Sequence, residues 1–484
     1  MQTSAGGTMN ETMNAKAVEA VNKLFRSGLV ALQAGQLSAA ESAFDKLLKS
    51  APNHAGAING LGMIAVQRGD LKAARDHWNR AVALAPEFSA PYVNLGNLDR
   101  RTAPMQAIEN YRLGIARAPN DAQAVFSLAS LLESVGMVRD GANLAAEALN
   151  RFAKHPGLAA IAAKGAIDEG RAADALAWLE DLPLDRAGRR IAQLVHYTKV
   201  QAYDALDQPE EALKSADSGR QVLESLFPDA LERASIERAD LASIGAMYQG
   251  KTLAGAKQGP GQDLVFLVGF PNSGTEELAA VLRRHPQIKL RDDGFSVEKA
   301  IHQAFGSPAI PRGLSPETLS ESRRAYDLHF GTLGAAQKLR VDHMPIAAAY
   351  AGFLAELFPA ARFVRFYRDP IETCLASSMR GYELTPVSSY LLRFESAADL
   401  FNAVQSNWIA TAGELQDRLL EISYENAKSD PSGTLSTILT FLGLPGAVPP
   451  EAIDAFGGRQ GVPAGDWRRY EPFLPKSVLT RLQR

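Results

Sequence analysis

The amino-acid sequence predicts a two-domain protein, in which an all-α helical solenoid precedes an α/β domain. Three observations predict this: a period of about 34 residues in the first half, a strand–turn–helix pattern after residue 263, and a length of 484 residues, which exceeds one ordinary core. The predicted limits are residues 15–253 for the helical domain and 264–484 for the α/β domain. Residues 254–263, AGAKQGPGQD, have the glycine and proline content of a linker.

The period of the first half comes from four residue series that share one register. The series are Gly28, Gly62 and Gly96; Ala40, Ala74 and Ala107; Phe44, Trp78 and Tyr111; and Pro52, Pro86 and Pro119. Small residues let two helices approach closely, the aromatic side chain fills the groove between units, and proline ends the second helix. The pattern resembles tetratricopeptide repeats over roughly residues 20–225. This resemblance implies a protein or peptide partner; a structural spacer or a dimer surface is the alternative.

The composition narrows the class of protein further. A net charge of −3 gives no support for nucleic acid as a bulk partner. The single cysteine, Cys374, allows no intrachain disulfide and favours a reducing compartment. The first twenty residues lack a signal-peptide pattern, and no apolar run reaches the length of a membrane span. The sequence therefore predicts a cytoplasmic protein without a membrane span.

The second half begins with a pattern that suits anion binding. Residues 264–270, LVFLVGF, form a short apolar run typical of a buried strand, and a polar turn and a helical pattern follow at once. This arrangement directs backbone N–H groups and the helix dipole at an anion. Gly269 and Gly274 have the spacing of a nucleotide P-loop, but Thr275 stands where its lysine belongs, which argues against an ATPase or kinase. An ordinary turn between strand and helix remains the alternative for this segment alone.

Five segments in order resemble sulfotransferases, and together they span about residues 264–472. They are the loop 270–276 (FPNSGTE), the segment 341–345 (VDHMP), the corner 365–370 (RFYRDP), the region 423–443 with SYEN, DP and FLG, and residues 459–468 (RQGVPAGDWR). The resemblance implies an α/β fold with a central parallel sheet and a reaction in which a sulfuryl group passes from the donor PAPS (3′-phosphoadenosine 5′-phosphosulfate) to a hydroxyl. The acceptor class remains open between a protein, a glycan and a small molecule.

The resemblance also implies site residues. For the donor they are Asn272, Ser273, Gly274, Thr275, Arg368, Ser377, Tyr424, Arg459 and Gly461. The loop suits the 5′ side of the donor and the two arginines its 3′-phosphate, because guanidinium groups bind phosphate in a bidentate manner. His343 is the predicted general base, with Asp293 as its substitute. No metal is predicted, because no cluster of His, Cys and carboxylate residues has ligand spacing.

Four positions depart from the sulfotransferase pattern. Asn272 replaces a lysine or arginine, Glu276 a threonine, Glu277 a tryptophan and Ala376 a serine. A carboxylate about 4 Å from a phosphate costs on the order of 1–4 kcal/mol, although residues 276 and 277 point about 100° apart on a helix and cannot both face the ligand. These changes favour a second hypothesis, a sulfotransferase fold that has lost activity and acts as a repeat-based binding or scaffold protein.

Overall fold

The structure of the protein is a computed structural model. It describes residues 5–226, 241, 244–253, 255–256, 258–292, 295–305, 314–382, 386–444 and 467–483. The chain divides into two compact units, Met1–Ala187 and Gly188–Arg484. The predicted site residues Asp293, Arg459 and Gly461 lie outside the described residues.

The first unit is an array of antiparallel helix pairs, which confirms the predicted helical solenoid. Its described helices are Ala5–Gln33, Leu37–Ser50, Ala55–Gln67, Leu71–Leu84, Ser89–Asp99, Pro104–Arg117, Ala122–Ser134, Val138–Leu149, Pro156–Asp168 and Ala172–Leu179. A predicted proline follows two residues after each of three helix ends, which are Ser50, Leu84 and Arg117.

Glycine and aromatic residues of the repeat meet inside the first three helix pairs. A Cβ atom added at Gly62 would lie 2.4 Å from Nε1 of Trp78, and one added at Gly96 would lie 2.8 Å from the Tyr111 ring. The absence of a side chain therefore lets the aromatic ring of the second helix sit directly against the backbone of the first. Trp78 and Tyr111 are consequently buried, at 3% and 0% exposure.

The second unit begins with a helical hairpin that precedes its sheet. The hairpin helices are Arg189–Ala205 and Pro209–Leu226. Val200 and Leu223 of these helices are buried in the same hydrophobic cluster as Phe266 of the sheet. The compact units therefore divide well before the predicted linker at 254–263, because the hairpin buries its apolar face against the α/β core. The predicted domain limits stay a prediction.

The core of the second unit is a five-stranded sheet that confirms the predicted central parallel sheet. Its strands are β1 Leu264–Val268, β2 Ile288–Arg291, β3 Leu339–His343, β4 Arg362–Tyr367 and β5 Leu419–Ser423. Their order is β2-β3-β1-β4-β5, and every neighbouring pair is parallel. All five residues of β1 are buried, because helices cover both faces of the sheet. Phe266 and Phe363 pack on one face, and Val265 and Val364 on the other.

Helices connect the strands and cover the sheet. The described α-helices after β1 are Thr275–Leu282, Phe295–Phe305, Pro316–Phe330, Ala351–Leu357, Pro370–Ser378, Pro386–Tyr390, Phe394–Leu415, Tyr424–Ser429, Pro431–Leu442 and Lys476–Leu482. Short 3₁₀ helices span Pro345–Tyr350, Gln416–Arg418 and Trp467–Phe473. Across the described ranges, none of the helices carries an apolar stretch long enough to cross a membrane.

Candidate functional site

The candidate site lies at the carboxyl edge of the sheet, where four strands end close together. The turn 269–274 follows β1, His343 is the last residue of β3, Arg368 follows β4, and Tyr424 follows β5. Strand β1 lies between β3 and β4, so the chain runs to opposite sides of it at this edge. Open parallel sheets bind ligands at such a switch point.

The turn after β1 is fixed by its own hydrogen bonds. The Ser273 N–H donates to the carbonyl of Phe270 at 3.0 Å, and the Phe270 N–H donates to Ser273 Oγ at 3.2 Å. Gly274 has a φ of +100°, and a Cβ atom there would lie 2.4 Å from the Tyr424 ring. Because Ser273 closes the turn, the amide groups that remain for an anion are those of the first helical turn, from Gly274 and Thr275 onward.

Asn272 is held on all sides within this turn. Its side chain is 4% exposed, and its backbone has a left-handed φ of +66°. Its Nδ2 donates to Ser377 Oγ at 2.9 Å and to the Tyr382 hydroxyl at 2.8 Å. Its Oδ1 accepts a hydrogen bond from the Arg380 guanidinium at 3.0 Å. Both amide hydrogens are therefore engaged inside the protein.

Arg368 lies against the same turn. One of its terminal nitrogens is 3.4 Å from the carbonyl oxygen of Asn272, and the other donates to Glu372 at 2.5 Å. The guanidinium also stacks on the Tyr424 ring, 4.6 Å from the ring centre. Its side chain is only 5% exposed, and its Nε has no hydrogen-bond partner in the described part of the chain. The turn and the arginine thus form one buried corner of the site.

Two carboxyl groups flank Arg368. Burial raises the pKa of Glu277 to about 7, although the nearby Arg368 guanidinium opposes the shift. Burial also raises the pKa of Glu372, again opposed by Arg368. The Tyr424 hydroxyl is 3.4 Å from Oε1 of Glu277 and donates to it. The local charge at this corner therefore depends on how many of these carboxyl groups are ionised.

His343 lies at the end of β3, beside Leu267 of β1 in the parallel register. It is 6% exposed, and neither ring nitrogen has a hydrogen-bond partner among the described residues. Burial lowers the pKa of His343, with Glu276 and Asp292 opposing and Arg283 reinforcing the shift. A neutral imidazole follows, which is the form that accepts a proton.

The structure brings most of the predicted site residues to one edge. The residues it places there are Asn272, Ser273, Gly274, Thr275, His343, Arg368, Ser377 and Tyr424. Ser377 contacts Asn272 and the Pro271 carbonyl, the latter at 3.2 Å.

Sequence reasoning missed three residues of this corner. They are Glu372, Arg380 and Tyr382. The position of Glu372 in the first turn of the helix that begins just after Arg368 was a readable signal. The other two carry no motif, because they reach Asn272 only through the return of the chain after the helix Pro370–Ser378.

The fold defines an α/β unit with a central parallel sheet, preceded by a helical-repeat unit. The profile of the sulfotransferase family matches residues 264–449, and that of the tetratricopeptide repeat matches residues 25–87. The chain therefore combines tetratricopeptide repeats at its N-terminal end with a sulfotransferase-family domain.

Two curated relatives match part of the chain. Protein-tyrosine sulfotransferase 1 of Danio rerio is 24% identical over 191 residues, which cover 38% of this chain and 53% of the relative. Protein-tyrosine sulfotransferase 2 of Gallus gallus is 22% identical over 195 residues, which cover 37% and 51%. The chain thus spans about half the length of the curated relatives it matches.

Two solved structures are also similar to parts of the chain. The structure of pilF from Pseudomonas aeruginosa has a TM-score of 0.38 and 17% identity, and covers 45% of this chain and 96% of pilF. The sulfotransferase domain of the Synechococcus PCC 7002 olefin synthase has a TM-score of 0.29 and 17% identity, and covers 48% of this chain and 86% of that domain.

Proposed function

We propose that the protein is a PAPS-dependent sulfotransferase that transfers a sulfuryl group to a hydroxyl of a protein, glycan or small molecule. The observation that carries this proposal is the 3.4 Å contact between the Arg368 guanidinium and the Asn272 carbonyl. A donor nucleotide carries phosphate groups at both ends of its adenosine, so its site needs two groups that bind anions close together. The start of the helix Thr275–Leu282 and Arg368 supply such a pair.

The residues present fit the donor. The amides of Gly274 and Thr275 suit the 5′ side, and the unpartnered Nε of Arg368, within the described ranges, suits a 3′-phosphate oxygen. Arg380, next to the turn, adds a second cation where Asn272 provides none. A phosphate at Arg368 has to displace or share the Glu372 carboxylate, which now accepts the hydrogen bond from the guanidinium.

His343 is the proposed general base. The acceptor oxygen bonds to sulfur as the bond from sulfur to the bridging phosphate oxygen breaks, which leaves adenosine 3′,5′-bisphosphate. The hydroxyl proton passes to an imidazole nitrogen, which burial keeps neutral. Such transfer depends on positioning and charge stabilisation. The guanidinium groups of Arg368 and Arg380 would supply the positive charge.

The acceptor and the partner are further parts of the proposal. Both curated relatives carry the name protein-tyrosine sulfotransferase, which supports a protein hydroxyl as one acceptor class. The tetratricopeptide repeats support a protein or peptide partner that presents the acceptor. A reducing, cytoplasmic location stays a prediction from the single cysteine, which is buried. The expectation of no metal likewise stays a prediction.

Calorimetric titration with adenosine 3′,5′-bisphosphate tests the donor site. We expect micromolar affinity, which Arg368→Ala lowers about 10- to 150-fold because a buried charged hydrogen-bond partner is lost. Arg362→Ala is the matched control. Arg362 lies at the start of β4, at the end of the strand opposite to Arg368, and donates to the Phe441 carbonyl at 3.1 Å. An Arg362→Ala loss as large as that of Arg368→Ala would count against a specific site.

A scaffold without donor binding is the second candidate. The observation that favours it is the pairing of Arg368 with Glu372, together with the half-buried Glu277 beside it. Glu372 occupies the guanidinium that a phosphate needs, and an ionised Glu277 nearby would repel that phosphate. Wild-type protein that fails to bind the bisphosphate at millimolar concentration would support the scaffold and refute the enzyme.

A further inference from the structure

The helical hairpin before the sheet reaches the anion-binding turn through a chain of direct contacts. The contacts run from Gln193 and Tyr197 of the hairpin to Gly381 and Tyr382, and from Tyr382 to Asn272. None of these hairpin residues belongs to the segment that matches the sulfotransferase family. These contacts connect a part of the chain outside the matched segment to the proposed donor site.

Asn272 needs support from its surroundings. A left-handed backbone is unfavourable for residues other than glycine, although asparagine tolerates it better than most. Because both Nδ2 hydrogens are donated internally, the Asn272 side chain holds the turn in place.

Tyr382 is one of the two groups that accept from Asn272 Nδ2, at 2.8 Å. Its own position is fixed by the hairpin, because its backbone carbonyl accepts a hydrogen bond from Gln193 Nε2 at 3.3 Å. The adjacent Gly381 lies against the hairpin without a side chain between them. A Cβ atom there would be 2.8 Å from the Tyr197 ring and 2.9 Å from Gln193 Nε2.

The hairpin is itself anchored in the α/β core. The Tyr197 ring packs between Gly381 and Gly219, where an added Cβ atom would lie 2.8 Å from the ring. Glu224 accepts a hydrogen bond from Arg393 at 2.8 Å, which ties the second hairpin helix to the start of the helix Phe394–Leu415. The hairpin therefore forms a firm support for the segment 380–382.

We propose that Gln193, Tyr197 and Tyr382 are positioning residues of the donor site, through which the hairpin 189–226 sets the conformation of the turn that binds the donor's 5′-phosphate group. The hairpin is then a working part of the sulfotransferase unit, although its sequence resembles further repeats. This inference rests on the proposed function, because the ligand it names is the donor of that reaction.

Two variants of the full-length chain test the inference. Tyr382→Phe removes the hydroxyl that accepts from Asn272, and Gly381→Ala forces the segment away from Tyr197. Affinities are measured by calorimetry for adenosine 3′,5′-bisphosphate and for adenosine 3′-monophosphate, which lacks the group that the turn would bind. Both variants should bind the bisphosphate about tenfold more weakly, the effect of one lost buried hydrogen bond, and the monophosphate as well as wild type does.

Tyr248→Phe is the matched control. Tyr248 is a buried tyrosine of the same unit whose hydroxyl donates to Glu356 at 2.9 Å, with no part in the turn. Its loss should leave both affinities unchanged. Melting temperatures of all variants establish that they are folded, and Gln193→Ala provides a milder change if Gly381→Ala unfolds.

The two ligands separate the possible failures. Equal loss of both affinities would indicate general damage and overturn the positioning role, as would bisphosphate binding equal to wild type in Tyr382→Phe and Gln193→Ala. Wild-type protein that does not bind the bisphosphate overturns the proposed function and this inference together. Wild-type binding with unaffected variants overturns the inference alone.

Discussion

Replacing Glu277 with glutamine should remove most of the pH dependence that the protein imposes on nucleotide binding near neutrality. The wild-type carboxyl has a pKa raised to about 7 by burial. It is largely protonated below this pH and ionised above it. An anionic ligand binds more weakly beside an ionised carboxylate, so we expect the affinity of the wild type to fall as the pH rises through 7.

The size of the effect follows from the geometry of Tyr424. Its ring lies 4.6 Å from the Arg368 guanidinium, and its hydroxyl lies 3.4 Å from Glu277. The carboxylate is therefore no more than about 10 Å from the cation that would hold a phosphate, and unit charges at that upper limit interact by about 0.4–1.7 kcal/mol between the aqueous and surface dielectric limits. The dissociation constant should rise about 2- to 15-fold when Glu277 ionises.

The assay is calorimetric titration with adenosine 3′,5′-bisphosphate at about pH 6, 7 and 8, at constant ionic strength. The phosphate groups of the nucleotide also ionise in this range and favour binding at higher pH, so the ratio of wild-type to Glu277→Gln affinity isolates the carboxyl. Glu356→Gln is the matched control, because Glu356 is also half-buried but accepts hydrogen bonds from Tyr248 and Lys251 instead of a residue of the turn. The reasoning is refuted if the wild type and Glu277→Gln have the same pH profile.

The other predictions concern catalysis and stability. His343→Gln should abolish transfer from labelled donor while nucleotide binding persists, and unchanged transfer would remove His343 from the mechanism. Because burial lowers the pKa of His343, the wild-type rate should fall on the acid side only below the ordinary histidine pKa near 6.5. Gly274→Ala should destabilise the fold by about 1–2 kcal/mol in denaturant titration and weaken nucleotide binding, since its φ is +100°. Gly413→Ala, which meets nothing within 4 Å in a helix, should instead stabilise by about 0.4–1 kcal/mol; equal effects would contradict this account. Gly62→Ala should lower the melting temperature of the repeat unit, at a cost of about 1–3 kcal/mol, because its Cβ would clash with Trp78; an unchanged melting curve would argue against the close contact.

The sheet edge and the repeats were predictable because their signals are local. The run LVFLV of β1 and the turn after it are contiguous in sequence, and parallel strands end at a common edge. The prolines after Ser50, Leu84 and Arg117 likewise mark helix ends without any tertiary information.

The hairpin 189–226 was not assigned to the α/β unit because its periodicity is that of any amphipathic helix pair. Helical spacing shows that an apolar face exists, but not which surface covers it. The burial of Val200 and Leu223 against the sheet cluster decides this, and only the packed structure contains that information.

The network around Asn272 was unpredictable for a similar reason. Its partners Arg380 and Tyr382 are more than a hundred residues away in sequence and follow no motif. The prediction that Asn272 itself touches the donor was natural for its place in the turn. The structure commits both Nδ2 hydrogens to Ser377 and Tyr382, and a contact between Asn272 and the donor stays a prediction.

A crystal structure with adenosine 3′,5′-bisphosphate tests the central claim most directly. We expect the 5′-phosphate at the amides of Gly274 and Thr275, and the 3′-phosphate on Arg368 with the Glu372 contact broken or shared. A nucleotide bound elsewhere, or an Arg368 that keeps Glu372 as its sole anionic partner in the presence of saturating ligand, would contradict the account.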